Sequence, residues 1–218
     1  MEKDWSGQIR ANIKELRAYT ARHEELKAAH HFLYDLRFPK RGSPDFVVMG
    51  INPGETAHDW NTAPEPTEET SLYDFHEEAG DGRSAIRWSR AAEYFLSGAD
   101  YVLAELFFWS SYDGRQFEER FGPLHKSKHL DFCTRMNRDL IEAYSPKAVV
   151  LPGLGSAPIC RKLYGLSLVD AIADEKGRLV EHHTDGVRPW IFTKHWTGSY
   201  GFSTAQREIV RNAIQGSV

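Results

Sequence analysis

Apolar positions in this chain fall into short unbroken runs separated by stretches of helical spacing, and that alternation sets the expected fold. Residues 46–49, 101–109 and 148–151 are apolar almost throughout, with Glu105 the main exception. A strand buried on both faces needs such runs, because neither face meets water. Between them, apolar residues recur every three or four positions: Ile9, Ile13, Leu16, Tyr19 and Leu26 in 6–31, and Ile86, Ala91, Tyr94 and Phe95 in 84–97. These segments predict amphipathic helices, as does 130–144. Gly98 is suited to end the second helix, and Ser145-Pro146 stops the third. A further helix is expected over 157–164 with Ser156 as its N-cap, and a last one from Ser203 or Thr204 with Ile209, Val210 and Ile214 on one face. Residues 179–182 and 190–194 read as two strands of a hairpin, turned by Thr184, Asp185 and Gly186. Strands alternating with helices imply an α/β domain with a mostly parallel sheet and helices on both faces.

Two long polar stretches interrupt this pattern. Residues 56–83 are rich in Glu, Thr, Pro and Gly, yet carry Trp60, Tyr73 and Phe75. Those aromatics suit a loop wrapped over a pocket, or simple anchors to the core. Residues 110–128 read as a second loop, with Arg115, Arg120, His125, Lys126 and Lys128 clustered in it. The expected organisation is an N-terminal helical segment, 1–44, packing on a single domain, 45–218. No internal repeat stands out.

Composition narrows the class. The chain has 218 residues, 41% hydrophobic and 27% charged, enough for one α/β domain whose core needs no staples. Its formal net charge of −4 speaks against a large nucleic-acid footprint, but leaves room for a local basic patch. No apolar run has membrane-spanning length and the first ten residues are polar, so a cytoplasmic protein without a membrane partner is expected. Cys133 and Cys160 are too few to bind a zinc ion or an iron–sulfur cluster by thiolates alone, and are expected as small buried hydrophobes. His30 and His31 at a helix end are read as solvated or capping rather than as metal ligands. No metal or cofactor is expected, and the chain is expected to be a monomer.

Candidate chemistry centres on Gly50-Ile51-Asn52-Pro53-Gly54, directly after the first strand run. The glycines permit close approaches that a Cβ forbids, and Pro53 restricts both itself and Asn52. A stiff loop thus holds Asn52 at the carboxyl end of a strand, where open α/β sheets bind ligands. An asparagine side chain can orient a water or polarise a carbonyl; alternatively, Asn52 only closes a local turn. His195 follows another strand and can serve as an acid or as a donor to a developing anion; alternatively, it is an interior histidine bonded to backbone. Glu105 is an acid in an apolar run, so it meets either the same pocket or an arginine such as Arg87 or Arg90. The join Gly153-Leu154-Gly155-Ser156 leads from strand to helix and could cradle an anion, although its spacing matches no nucleotide-binding fingerprint.

Gly50-Ile51-Asn52-Pro53-Gly54 resembles the first active-site motif of the uracil-DNA glycosylase superfamily, in its mismatch-specific uracil/thymine branch. Val149-Val150-Leu151-Pro152-Gly153 with the following helix resembles that superfamily's central strand and helix, and Phe192-Thr193-Lys194-His195 resembles the strand that delivers its second motif. The resemblance implies a three-layer α/β/α fold with a four-stranded, mostly parallel sheet. It implies hydrolysis of the N-glycosidic bond of a base flipped out of DNA, single- or double-stranded. Asn52 and His195 would be catalytic, the first positioning water and the second donating to the base carbonyl. Gly50, Ile51, Pro53 and Gly54 would shape the base pocket, with Trp60 or Phe75 stacking on the base. Gly153, Ser156, Lys194 and Thr197 would face the nucleic acid, and Tyr200 or Phe202 would wedge into it. Trp196 and Thr197 stand where the family has proline and serine. Glu105 stands where many members have an asparagine that reads uracil, and a carboxylate offers acceptors only. That favours a base offering more donors, or a modified base, within an expected range of uracil, deaminated and modified bases. Two alternatives remain open: a non-catalytic module binding a nucleobase or nucleic acid, and a hydrolase of small N-glycosides.

Overall fold

The structure is a computed structural model and describes residues 5–27, 29, 43–54, 83–197 and 202–217. Its described elements are α1 (Trp5–Ala21), β1 (Phe46–Gly50), α2 (Arg83–Leu96), β2 (Tyr101–Glu105), α3 (Gly114–Phe121), α4 (Leu130–Tyr144), β3 (Ala148–Pro152), α5 (Ala157–Tyr164), β4 (Ser167–Asp174), β5 (Gly177–Thr184), β6 (Pro189–Thr193) and α6 (Thr204–Gln215).

The strands form one sheet in the order β2-β1-β3-β6-β5-β4. β2, β1, β3 and β6 run parallel, while β5 pairs antiparallel with both β6 and β4. The expectation of a four-stranded sheet is therefore corrected to a six-stranded mixed one. The β5–β6 hairpin is present as its turn residues predict, from Val180 opposite Thr193 to Thr184 opposite Pro189. The unforeseen strand is β4. It lies at the sheet's edge, and Ser167 to Ala171 are all exposed, so its sequence lacks the apolar run that marks a buried strand.

Alternate residues of the parallel strands feed two cores on opposite faces. Val47, Met49, Val102, Val149, Leu151 and Phe192 pack with residues of α1, α3, α4 and α5. Phe46, Val48, Leu103, Val150 and Ile191 pack with α2 and α6. Cys133 and Cys160 are both free and buried, and burial pushes both thiols up, Cys160 to about 12.

Four other boundaries differ from expectation, each for a local reason. The first helix ends at Ala21, and a 3-10 turn over Glu24–Leu26 then seats Leu26 in the core; His30 and His31 lie outside the described residues. The second strand stops at Glu105 rather than Trp109, although residues 106–109 stay fully buried. Residues 110–128 contain α3, capped by Asp113, whose carboxylate accepts from Gln116 N at 2.8 Å, and closed by Gly122 at φ 71°. Ser156 does not cap α5 with its side chain. Its backbone is already helical (φ −84°, ψ −14°), and its hydroxyl donates back to Gly153 O at 2.7 Å. The last helix does carry a full capping box between Ser203 and Gln206.

Asp185 organises the hairpin turn. Its Oδ1 accepts from Val187 N and Arg188 N, both at 2.8 Å, and its Oδ2 from the Trp190 indole at 3.0 Å. Burial raises its pKa, but the Trp190 donor, the two amides and the Arg188 charge outweigh burial and hold it below the ordinary value of 3.8. Because the folded-state value is the lower one, this stabilisation is present above the unfolded pKa and is lost as pH falls through the folded one. Asp185→Asn is expected to cost about 1–2 kcal/mol at pH 7. In urea denaturation the gap to wild type should close as pH falls below 3.8; a gap that stays constant into strong acid would contradict this account of the turn.

Candidate active site

The end of β1 and the loop after it are stitched onto the chain following β2. Leu106 N donates to Gly50 O and Phe107 N to Ile51 O, both at 2.9 Å, and Ser111 N donates to Pro53 O at 3.1 Å. Gly54 pairs with Ser111 in a parallel bridge. The β1–β2 ladder thus continues beyond both strands. This is why residues 106–109 are apolar without being strand: they pair irregularly and are buried.

Asn52 is oriented by this framework. Its amide nitrogen donates to Ser111 Oγ at 2.9 Å, Pro53 O at 3.0 Å and Trp109 O at 3.4 Å. Two of these partners are carbonyls, which only accept, so the NH₂ group must face them. Oδ1 therefore points the other way, and no described residue donates to it. The alternative in which Asn52 merely closes a turn accounts for the Pro53 bond but not for those to residues 109 and 111.

Glu105 stands opposite Gly50 in the β1–β2 register, and its carboxylate lies over the glycine. A Cβ built on Gly50 would come within 2.2 Å of Glu105 Oε2 and 2.8 Å of its Cδ. Gly50 is thus needed for close approach by an acid. The buried Asn137 on α4 donates to Glu105 O at 2.9 Å and fixes the end of β2.

His195 follows β6. Its Nδ1 accepts from Thr197 N at 3.3 Å, which places the proton of the neutral ring on Nε2. The residue is exposed overall, yet partial burial of the imidazole still holds its pKa below the ordinary 6.5. At neutral pH the ring is therefore an uncharged Nε2–H donor. Trp196 is buried in the α2–α6 core, stacked on Phe95 at 5.0 Å between ring centres.

Asn52, Glu105 and His195 line one cleft of about 440 Å³, together with Gly50 and Ile51. It opens at the carboxyl ends of β1, β2, β3 and β6, where the sheet order reverses around β1. Trp88, Phe117, Leu124 and Pro152 give it apolar walls, and Glu118 adds a second carboxylate. These wall residues carry no motif. Phe117 and Glu118 were accessible only through the cap signals Asp113 and Gly122, which mark α3.

The other sequence-derived candidates are not in this cleft. Pro53 and Gly54 anchor the loop from behind, and Ser156 lines a neighbouring groove. Gly153 accepts the Ser156 hydroxyl, and Thr197 orients His195. Phe202 is half-buried on Phe95, and the Lys194 ammonium lies 5.5 Å over its ring. Trp60, Phe75 and Tyr200 lie outside the described residues. A scan against models of protein families and a search of curated proteins each return no match.

Two outcomes follow from the geometry. Gly50→Ala is expected to cost about 1 kcal/mol in the wild-type background, the low end for overpacking because the atoms met are the tip of the Glu105 side chain, and well under half of that beside Glu105→Ala, as read by denaturation of the four proteins in a double-mutant cycle. Equal costs in both backgrounds would show that the carboxylate does not rest on Gly50. The His195 imidazole should titrate below pH 6.5 when followed by NMR; a midpoint above that value would contradict the neutral donor.

Proposed function

We propose that this chain is an N-glycosylase related to the uracil-DNA glycosylase superfamily, hydrolysing the bond between a flipped nucleobase and its sugar in DNA. The observation that carries this reading is the convergence of Asn52, Glu105 and His195 on one cleft at the carboxyl ends of parallel strands. The parallel segment β2-β1-β3-β6, with helices on both faces, supports the same relationship. In this reading β5 and β4 are an extension of the four-stranded core.

The chemistry follows from what each group can do. Asn52 has its donors occupied and, among the described residues, nothing donates to its Oδ1, so it holds a water by accepting a hydrogen bond from one of its O–H groups. The water oxygen bonds to C1′ of the sugar as the C1′–N bond breaks, and the bonding pair leaves with the base. The departing base carries negative charge, which an N–H donor aimed at its carbonyl oxygen stabilises. His195 Nε2–H is that donor. One hydrogen of the water stays on the new C1′ hydroxyl, the other leaves as a proton to solvent, and the base anion takes up a proton, so one water is consumed for each base released.

Glu105 sets the preference. As an acceptor it suits a base that presents N–H groups at its recognition edge, and it lacks the donor that uracil's O4 requires. Xanthine, with two N–H groups in its six-membered ring, and modified bases with added N–H groups fit this better than uracil or hypoxanthine, which have one. The cleft itself holds two carboxylates, Glu105 and Glu118, and His195 is its sole basic side chain among the described residues. It is therefore built for an uncharged ring and not for a phosphate.

The test is release of free base from oligonucleotides carrying uracil, mismatched thymine, hypoxanthine or xanthine, followed by chromatography. At least one deaminated purine should be released faster than uracil, and Asn52→Ala should slow release by about 100-fold or more. No release from any substrate, or an Asn52→Ala variant as fast as wild type, would overturn the reading.

A further inference from the structure

Beside the cleft runs a larger groove of about 730 Å³, and the two share Ile51 and Leu124 as a common wall. The two cavities differ in charge. The cleft has its two carboxylates, whereas the groove is lined by His125, Lys126, Lys128 and Lys162 against a single acid, Asp131. Such a concentration of positive charge is notable in a chain of net charge −4. Lys128 is committed to Glu25 at 2.5 Å. Asp131 sits in the first turn of α4, where an acid is stabilised by the helix itself. Lys126 and Lys162 are exposed, and among the described residues neither makes an ion pair. They come from separate elements: Lys126 from the 3-10 turn after α3, and Lys162 from α5. The groove between them has an apolar floor that includes Leu130, Ile159 and Leu163.

We propose that this groove carries the phosphodiester backbone of a single DNA strand next to the flipped nucleotide, with phosphates at Lys126 and Lys162. The assignment rests on the glycosylase reading for the identity of the strand, but its own support is the charge and continuity of the groove. A nucleotide whose base enters the cleft must leave its phosphates outside, because the cleft carboxylates repel them. Ile51 and Leu124 line both cavities, so a strand crossing this wall passes from the cleft into the basic groove. Ile51 is 43% exposed, an apolar side chain at the crest over which the strand would pass. A single strand suits this arrangement better than a duplex, because two lysines in one groove, without an ion pair among the described residues, match one backbone, and a chain of net charge −4 disfavours a second.

The test is the salt dependence of binding to a fluorescent single-stranded oligonucleotide. Each phosphate contact on single-stranded DNA contributes about 0.7 to the slope of log affinity against log salt. Lys126→Gln and Lys162→Gln should each lower the slope by about 0.7, and the double variant by about 1.4. Lys176→Gln, at the β4–β5 turn, removes the same charge away from the groove and should leave the slope unchanged. An unchanged slope in the double variant, an equal fall with Lys176→Gln, or no binding by the wild type would each overturn the proposal. Tighter binding to duplex, with the same dependence on both lysines, would overturn the single-strand assignment. The outcomes separate from those of the catalytic reading. Base release with an unaltered slope sinks only the groove, whereas a lysine-dependent slope without base release supports the groove as a strand path and sinks only the glycosylase.

Discussion

The stitching of residues 50–54 to residues 106–111 is the constraint on which the site depends. Backbone bonds from Leu106, Phe107 and Ser111 fix the loop's course, and the Asn52 amide is then held by groups on both sides of that seam. Asn52 and Glu105 consequently come from a single ladder and cannot move independently. Gly50 is the point of closest approach, where the absence of a Cβ lets the Glu105 carboxylate lie directly on β1. The same seam is anchored from outside. The Trp109 indole donates to Thr20 Oγ1 at 3.1 Å, tying the segment after β2 to α1.

Sheet order explains why a cleft forms here. The chain leaves β1 for β2 on one side and returns to β3 on the other, so the connections diverge and leave a crevice at the carboxyl ends. β6 adds His195 from the far side of β3. Charge then distinguishes the two cavities: the cleft carries Glu105 and Glu118, whereas the groove is lined by Lys126, Lys128 and Lys162 against Asp131. Each cavity supplies what the other excludes, and the division needs only a few side chains on a chain that is acidic overall.

Much of this was legible in the sequence because burial leaves a periodic trace. The runs at β1 and β3 and the spacing in α4 and α5 name their elements, and Asp185 with Gly186 marks the hairpin. Asn52 and His195 were legible because loop chemistry and position agree. β4 left no trace, since an edge strand facing water has no apolar run. α3 was hidden because Arg115, Glu118, Glu119 and Arg120 surround Phe117 and Phe121, and only its two caps disclose it. Ser156 was misread as a side-chain cap because the 3-10 turn before it is not visible in composition. The cleft walls Trp88, Phe117 and Pro152 come from three distant segments, and their convergence is a property of topology rather than of any local pattern.

The central claim is that one cleft receives a base against Asn52, Glu105 and His195. A crystal structure of the Asn52→Ala variant with an oligonucleotide carrying a deaminated purine tests it most directly. The account predicts the base inside the cleft, with its N–H edge at Glu105 and a carbonyl oxygen about 3 Å from His195 Nε2. A base bound elsewhere, or a bound strand that leaves the cleft empty, would contradict it.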